Sequence, residues 1–163
     1  GSFKRNVAYK FKIGQVMTGS PNFEGEKLTH VEINSRRVSR VNIIANIVDK
    51  YVQEGEKNYV TVTIDDATGQ LKVKFFGDEI EKLKELNQWD TVLVVGLLRS
   101  WNNELYLTPE LIRKKDSRYL LIRKLEVELE QPKSMDKDKI AELKDKILDM
   151  VKQAEASGGL DTE

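Results

Sequence analysis

Residues 59–90 read YVTVTIDDATGQLKVKFFGDEIEKLKELNQWD, and this stretch decides the fold. Val60, Val62 and Ile64 alternate with polar neighbours, the pattern of a half-buried strand. Asp65-Asp66-Ala67-Thr68-Gly69 follows as a turn, in which the acidic side chains satisfy local backbone N–H groups and Gly69 is suited to positive φ. Leu71, Val73 and Phe75 then take one face of a second strand, and Lys72, Lys74 and Phe76 take the other. At Gly77 the period changes. Asp78-Glu79 favour a helix N-terminus, and Ile80, Leu83 and Leu86 form an apolar stripe over 77–87.

Working outward, Val41, Ile43, Ala45 and Ile47 alternate along an earlier strand that ends in a polar loop at 53–58. Residues 91–99 and 104–112 supply two more strands. Five short strands with a helix between the third and fourth are the arrangement of an OB-fold, so 36–115 is expected to be a five-stranded Greek-key barrel. The chain as a whole reads as mainly β, with that interposed helix and a C-terminal α-helix for oligomerisation. Gly1-Ser2 reads as a tag remnant. Over 3–35, Phe11, Ile13, Val16 and Met17 predict a helix stopped by Gly19-Ser20-Pro21-Asn22, and the alternation of 27–33 predicts a strand on the barrel edge. Over 116–131, Tyr119, Ile122, Leu125 and Leu129 form a helical stripe that needs a partner. Residues 132–163 read as a linker and a further helix through Ile140, Leu143, Ile147, Leu148 and Val151, closed by Ser157-Gly158-Gly159.

At 163 residues the chain has material for one core with appendages. The absence of cysteine excludes disulfides, thiolate zinc sites, iron–sulfur clusters and thiol nucleophiles together. His30 is the single histidine and lacks companion ligands, while Asp65-Asp66 have a complete explanation in their turn. No metal, cofactor, small-molecule substrate or enzymatic activity is expected. The longest apolar run, 91–98, is too short to span a bilayer and no leader precedes it, so no membrane partner is expected either. Lysine plus arginine equal aspartate plus glutamate at 27 each, so any attraction to phosphate must come from a local arrangement.

Two groups of residues point to such an arrangement. On the outward face of the third strand, Phe76 offers a surface on which a base can stack, with Lys72 and Lys74 beside it to neutralise phosphates. The competing reading has Phe76 covering the adjoining helix and the lysines merely solvated. In Arg99-Ser100-Trp101-Asn102-Asn103 a tryptophan among polar residues suits a stacking platform, Arg99 shares its strand parity, and the asparagines serve the turn. The alternative for Trp101 is a rim residue that plugs the barrel end. Arg36 and Tyr51, at opposite ends of the first strand, border the same groove or are simply solvated. Trp89, between the helix and the fourth strand, reads as closing the bottom of the barrel.

The alternation into Thr63-Ile64-Asp65-Asp66, the strand Val73-Lys74-Phe75-Phe76, the segment Gly96-Leu97-Leu98-Arg99-Ser100-Trp101 and the helix after the barrel together resemble the middle, OB-fold subunit of replication protein A, of archaeal type. That family is the heterotrimeric single-stranded-DNA-binding protein of eukaryotes and archaea, and the resemblance covers about 36–129. It implies non-sequence-specific binding of single-stranded DNA in replication, repair and recombination, with stacking on Phe76 and Trp101. It also implies that Tyr119, Ile122, Leu125 and Leu129 join a helix bundle with sister OB-fold subunits. The implied location is the cytoplasmic nucleoid in an archaeon or the nucleus in a eukaryote. Residues 140–163 then resemble the start of a winged-helix domain cut short, and Ala67 stands where the family usually has glycine. A structural adaptor with little DNA affinity and an RNA-binding barrel, such as an anticodon-binding module, are the alternatives.

Overall fold

The computed structural model describes residues 7–53, 55, 58–130 and 137–158. Gly1-Ser2, most of the acidic loop at 54–57, the linker after Glu130 and the end of the chain from Gly159 lie outside the described residues. The elements in chain order are β1 (Ala8–Lys10), α1 (Ile13–Met17), β2 (Ser20–Glu24), β3 (Lys27–Ile33), β4 (Arg36–Val38), β5 (Arg40–Gln53), β6 (Tyr59–Asp65) and β7 (Gln70–Phe76). A 3₁₀ segment (Gly77–Leu83), β8 (Thr91–Trp101), β9 (Glu104–Lys115), α2 (Tyr119–Glu130) and α3 (Lys137–Gly158) complete the chain.

Strands pair in the order β5-β6-β7-β9-β8, and β8 pairs back with β5 to close the barrel. Read as five barrel strands, that is the 1-2-3-5-4-1 closure of an OB-fold, with the 3₁₀ segment where the interposed helix was expected. The inward set is the one the alternation predicts: Val41, Ile43, Ala45, Ile47, Val62, Ile64, Leu71, Val73 and Phe75 are all buried in one core. Gly96 is required at the β8–β9 bulge, because a Cβ there would stand 2.5 Å from the Thr108 carbonyl oxygen. The interposed segment is 3₁₀ rather than α-helical. Ile80, Leu83 and Leu86 recur at intervals of three, which suits three residues per turn, and the Lys50 ammonium donates to the Leu83 and Leu86 carbonyl oxygens at its end.

Upstream of the barrel the expected helix is present but shorter, and a strand precedes and follows it. Residues 8–10 pair in parallel with Arg40–Asn42 of β5, and only five residues are helical. So short a helix does not stand alone, since nucleation is unfavourable. It is held from outside by the β6–β7 turn: the Ile13 N–H donates to Asp66 Oδ2 at 2.8 Å and the Gly14 N–H to Thr68 Oγ1 at 2.8 Å. Lys27–Ile33 is a strand as expected, but it pairs with β2 and β4 in a separate three-stranded antiparallel sheet and not with the barrel edge. Arg36 belongs to that sheet, so the barrel proper begins at Arg40.

The turn at 65–69 also differs in detail. Positive φ falls on Ala67, at 74°, because Asp65 Oδ1 accepts from the Ala67 N–H and Asp66 Oδ1 from the Thr68 N–H. Trp89 does not close the barrel. Its N–H donates to the Ile47 carbonyl oxygen and the Asp90 carbonyl oxygen accepts from the Ile47 N–H, so backbone fills that position and the indole is turned outward, 68% exposed. Leu83 and Leu86 take up the buried positions instead.

Beyond β9, α2 packs against α3 and against β5. Ile122 and Leu125 are buried, while Tyr119 and Leu129 are half-buried. The Arg123 guanidinium is buried too, donating to the Asn42 backbone carbonyl and, at 2.7 Å, to Asn42 Oδ1, with Glu126 at 3.4 Å. Burial lowers the Arg123 pKa from its ordinary value, against the raising effect of Glu126, yet arginine stays charged at any working pH. Among the described residues no helix is long and apolar enough to cross a membrane.

Candidate nucleic-acid interface

The β6–β7 hairpin presents one continuous outer face. Thr63 is opposite Lys72, Thr61 opposite Lys74, and Tyr59 opposite Phe76. Period-two alternation fixes which side chains share that face once Leu71, Val73 and Phe75 have gone inward. The parallel pairing of β7 with β9 puts Tyr106 beside Lys72, and β8 places Arg99 beside Tyr106. Lys72, Tyr106 and Arg99 therefore form a row across three strands.

These strands line a groove of about 330 Å³. Asp49 and Tyr51 form one wall, Lys72, Lys74 and Tyr106 lie across from them, and Trp101 stands at the end. A bulge in β5 at Ile47/Asp49 reverses the parity of the strand, which is what brings Asp49 and Tyr51 to the outside. Asn102 and Asn103, with φ of 51° and 63°, make a two-residue turn between Trp101 and Glu104. Trp101 is thus held on a tight hairpin, with 66% of its surface exposed.

Of the residues singled out in the sequence, Tyr51, Lys72, Lys74 and Trp101 come together in this groove. Phe76 adjoins it through Tyr59, whose ring is 5.6 Å away and tilted by 42°. Arg99 borders it through Tyr106. Arg36 is not there; it belongs to the three-stranded sheet, and its guanidinium sits 5.1 Å from the centre of the Tyr9 ring of β1. Tyr59 and Tyr106 went unnoticed in the sequence. Counting outward from the turn would have set Tyr59 against Phe76, but Tyr106 reaches the groove only through the β7–β9 closure, which no local pattern announces.

The Lys74 ammonium lies 4.5 Å above the Tyr106 ring, and the Lys72 ammonium is 4.0 Å from a Glu104 carboxylate oxygen. Lys72 and Lys74 are matched in the lining by Asp49 and Glu104, so the groove is not a strongly positive funnel. Its distinguishing chemistry is a set of aromatic rings with two lysines among them, suited to stacked bases flanked by phosphates.

Residues 37–115 match the family model described as OB-fold nucleic acid binding domain. An uncharacterized protein of Methanocaldococcus jannaschii is 30% identical over 132 residues, which cover 78% of this chain and 49% of that protein. The chain thus spans about half the length of this relative. Among solved structures, the S. pombe Stn1–Ten1 complex contains a chain similar to this one with a TM-score of 0.63 at 17% identity, over 86% of this chain and 99% of that one. A replication protein A heterotrimer bound to single-stranded DNA gives a TM-score of 0.61 at 18% identity, over 74% of this chain and 92% of that one. Yeast replication protein A bound to single-stranded DNA gives 0.57 at 17%, over 78% and 91%. At these identities the likeness speaks for the fold. The chain carries an OB-fold domain that matches the OB-fold nucleic acid binding family over 37–115 and is similar in structure to chains of replication protein A and of the Stn1–Ten1 complex.

Proposed function

We propose that this chain binds single-stranded DNA with little sequence preference, as a non-enzymatic subunit of a replication-protein-A-like complex. The observation that carries the reading is the gathering of Tyr51, Trp101, Tyr59, Phe76 and Tyr106 around Lys72 and Lys74 on one face of the barrel. Trp101, Tyr51 and Phe76 are 66%, 57% and 46% exposed, and a folded chain gains nothing by leaving such surface wet. A strand that stacks on it removes that surface from water. Two of the similar structures are of replication protein A bound to single-stranded DNA, which supports the same ligand. The relative in M. jannaschii supports an archaeal setting, and hence a cytoplasmic nucleoid location.

Assembly with sister subunits through α2 is part of the proposal. Because Ile122 and Leu125 are buried and α2 packs on β5 and α3, a bundle using that stripe exchanges α3 for partner helices. The balanced charge of the groove favours the adaptor as the second reading, with sister subunits carrying the DNA affinity.

Anisotropy of fluorescein-labelled oligo-dT at low and moderate salt tests the binding. Stacking contributes about 1–3 kcal/mol per base, so a Phe76→Ala, Trp101→Ala double variant is expected to lose at least about tenfold in affinity. Full affinity in the double variant would overturn the stacking groove. No binding by the intact chain would leave the adaptor reading, and preference for oligo-U RNA would reassign the ligand.

A further inference from the structure

Trp101 borders two cavities, and the proposed DNA groove is only one of them. The second, of about 830 Å³, lies between the β8–β9 turn and the tip of the β2–β3 hairpin. Phe23, Lys27, Ser100, Asn102 and Asn103 contribute to its lining, and Trp101 is the one residue that it shares with the groove. We infer that the bound strand continues past Trp101 into this cleft, where Phe23 provides a further stacking surface and Lys27 a phosphate contact. This rests on the proposed single-strand binding and extends its footprint to a sheet outside the barrel.

The sequence and geometry of the hairpin support the extension. Phe23 is 45% exposed on a strand whose other residues are polar or proline, so packing does not account for it. A register shift between Asn22 and Phe23 interrupts the β2–β3 ladder, and such bulges re-aim the side chain that they carry. Gly25, at φ 65°, turns the hairpin immediately after. The cleft falls within the roughly 300–1,000 Å³ range of ligand sites. Ser100 and the two asparagines offer hydrogen-bond donors and acceptors that suit base edges of any type. Glu26 shares the lining and repels phosphate, so stacking on Phe23 carries more of the gain than charge does. Two exposed aromatics on separate elements, facing one cleft continuous with a stacking groove, suit an extended row of bases.

The test is a length series of labelled oligo-dT, from about 4 to about 16 nucleotides, the range of OB-fold site sizes. It is read with the intact chain and with Phe23→Ala, Lys27→Ala and Trp101→Ala, each checked for unchanged thermal unfolding. Phe23→Ala is expected to bind the shortest oligomers like the intact chain and the longest at least about fivefold more weakly, with a shorter saturating length. Lys27→Ala should follow the same length pattern with a smaller loss. Trp101→Ala should weaken binding at every length. Equal affinity of Phe23→Ala and the intact chain at all lengths would overturn the extension while leaving the groove standing. A uniform loss at all lengths would also overturn it, by placing Phe23 in the minimal site. No binding of any oligomer by the intact chain would overturn the proposed function and the extension with it.

Discussion

Ala67 holds a φ of 74° on an exposed turn, a conformation that costs an L-residue about 1–2 kcal/mol. Glycine removes that cost but brings about 0.4–1 kcal/mol of extra unfolded-state entropy. Ala67→Gly is therefore expected to stabilise the chain by about 0.5–1 kcal/mol, read as a higher urea midpoint at constant slope. A lower midpoint would mean that the Asp65 and Asp66 hydrogen bonds do not hold Ala67 in that conformation. In the groove, Lys72→Ala and Lys74→Ala each take one ammonium away from a phosphate, and each should reduce the slope of log affinity against log salt by about 0.7. An unchanged slope would show that the ammonium in question neutralises no phosphate. The exposed positions of Phe76 and Trp101 were legible in the sequence, Phe76 from its strand parity with Lys72 and Lys74 and Trp101 from its polar neighbours. Trp89 also stands among polar neighbours but was misread from its place in the chain: burial of an indole between a helix and a strand is the usual outcome, and its φ of 75° leaves no trace in a hydrophobic pattern.

The legible elements are those whose period is enforced locally. All five barrel strands were expected, the first three from their alternation and the last two as short segments, rich in apolar residues, bounded by turn residues. β1 and β2 were not, and α1 was expected longer than it is, because the conformation here is imposed from elsewhere: β1 by pairing with β5, α1 by capping from the β6–β7 turn. Of the apolar positions Phe11, Ile13, Val16 and Met17 that predicted a helix, the first three are buried and Met17 is exposed, and the helix drawn through them was too long. The seat of α2 on the barrel was equally hidden, since it depends on Arg123 reaching Asn42. Arg123→Leu removes two charged hydrogen bonds and leaves the Asn42 oxygens without that partner, so it should cost about 2–4 kcal/mol and speed amide exchange in α2. A loss below about 0.5 kcal/mol would show that apolar packing alone seats the helix. Just before α2, Asp116 Oδ1 accepts from the Arg118 backbone N–H, and with the Arg118 guanidinium this holds the carboxyl below the usual aspartate range. A depressed folded pKa stabilises the chain above the unfolded value near 3.9, and that contribution fades as the pH falls through the folded value. Asp116→Asn should thus be less stable than the parent at neutral pH, with the gap narrowing below about pH 4. A gap independent of pH would separate the effect from ionisation.

At the scale of the whole molecule, the barrel has one thin seam. β8 and β9 pair along the length of β8, whereas β7 and β9 are joined by two residue pairs, Lys72 with Tyr106 and Val73 with Leu107. The groove lies across this seam, with Lys72 and Lys74 on one side and Glu104 and Tyr106 on the other. A sheet opens first where it has fewest ladder bonds, so amides of β7 and the start of β9 should exchange faster than those of β5 and the middle of β8. A strand stacked on Trp101 and Phe76 spans both sides and adds interactions that the unfolded chain lacks. With oligo-dT at a hundredfold excess over its dissociation constant, linkage gives about 2.7 kcal/mol of stabilisation. For a chain of this length that corresponds to a rise of about 5–10 °C in Tm. The added protection should concentrate at the β7–β9 seam, because that is where the ligand opposes opening. If the Tm rises but protection develops at the β5–β8 side instead, the strand lies on a different face of the barrel, and the row of Lys72, Tyr106 and Arg99 is not its track.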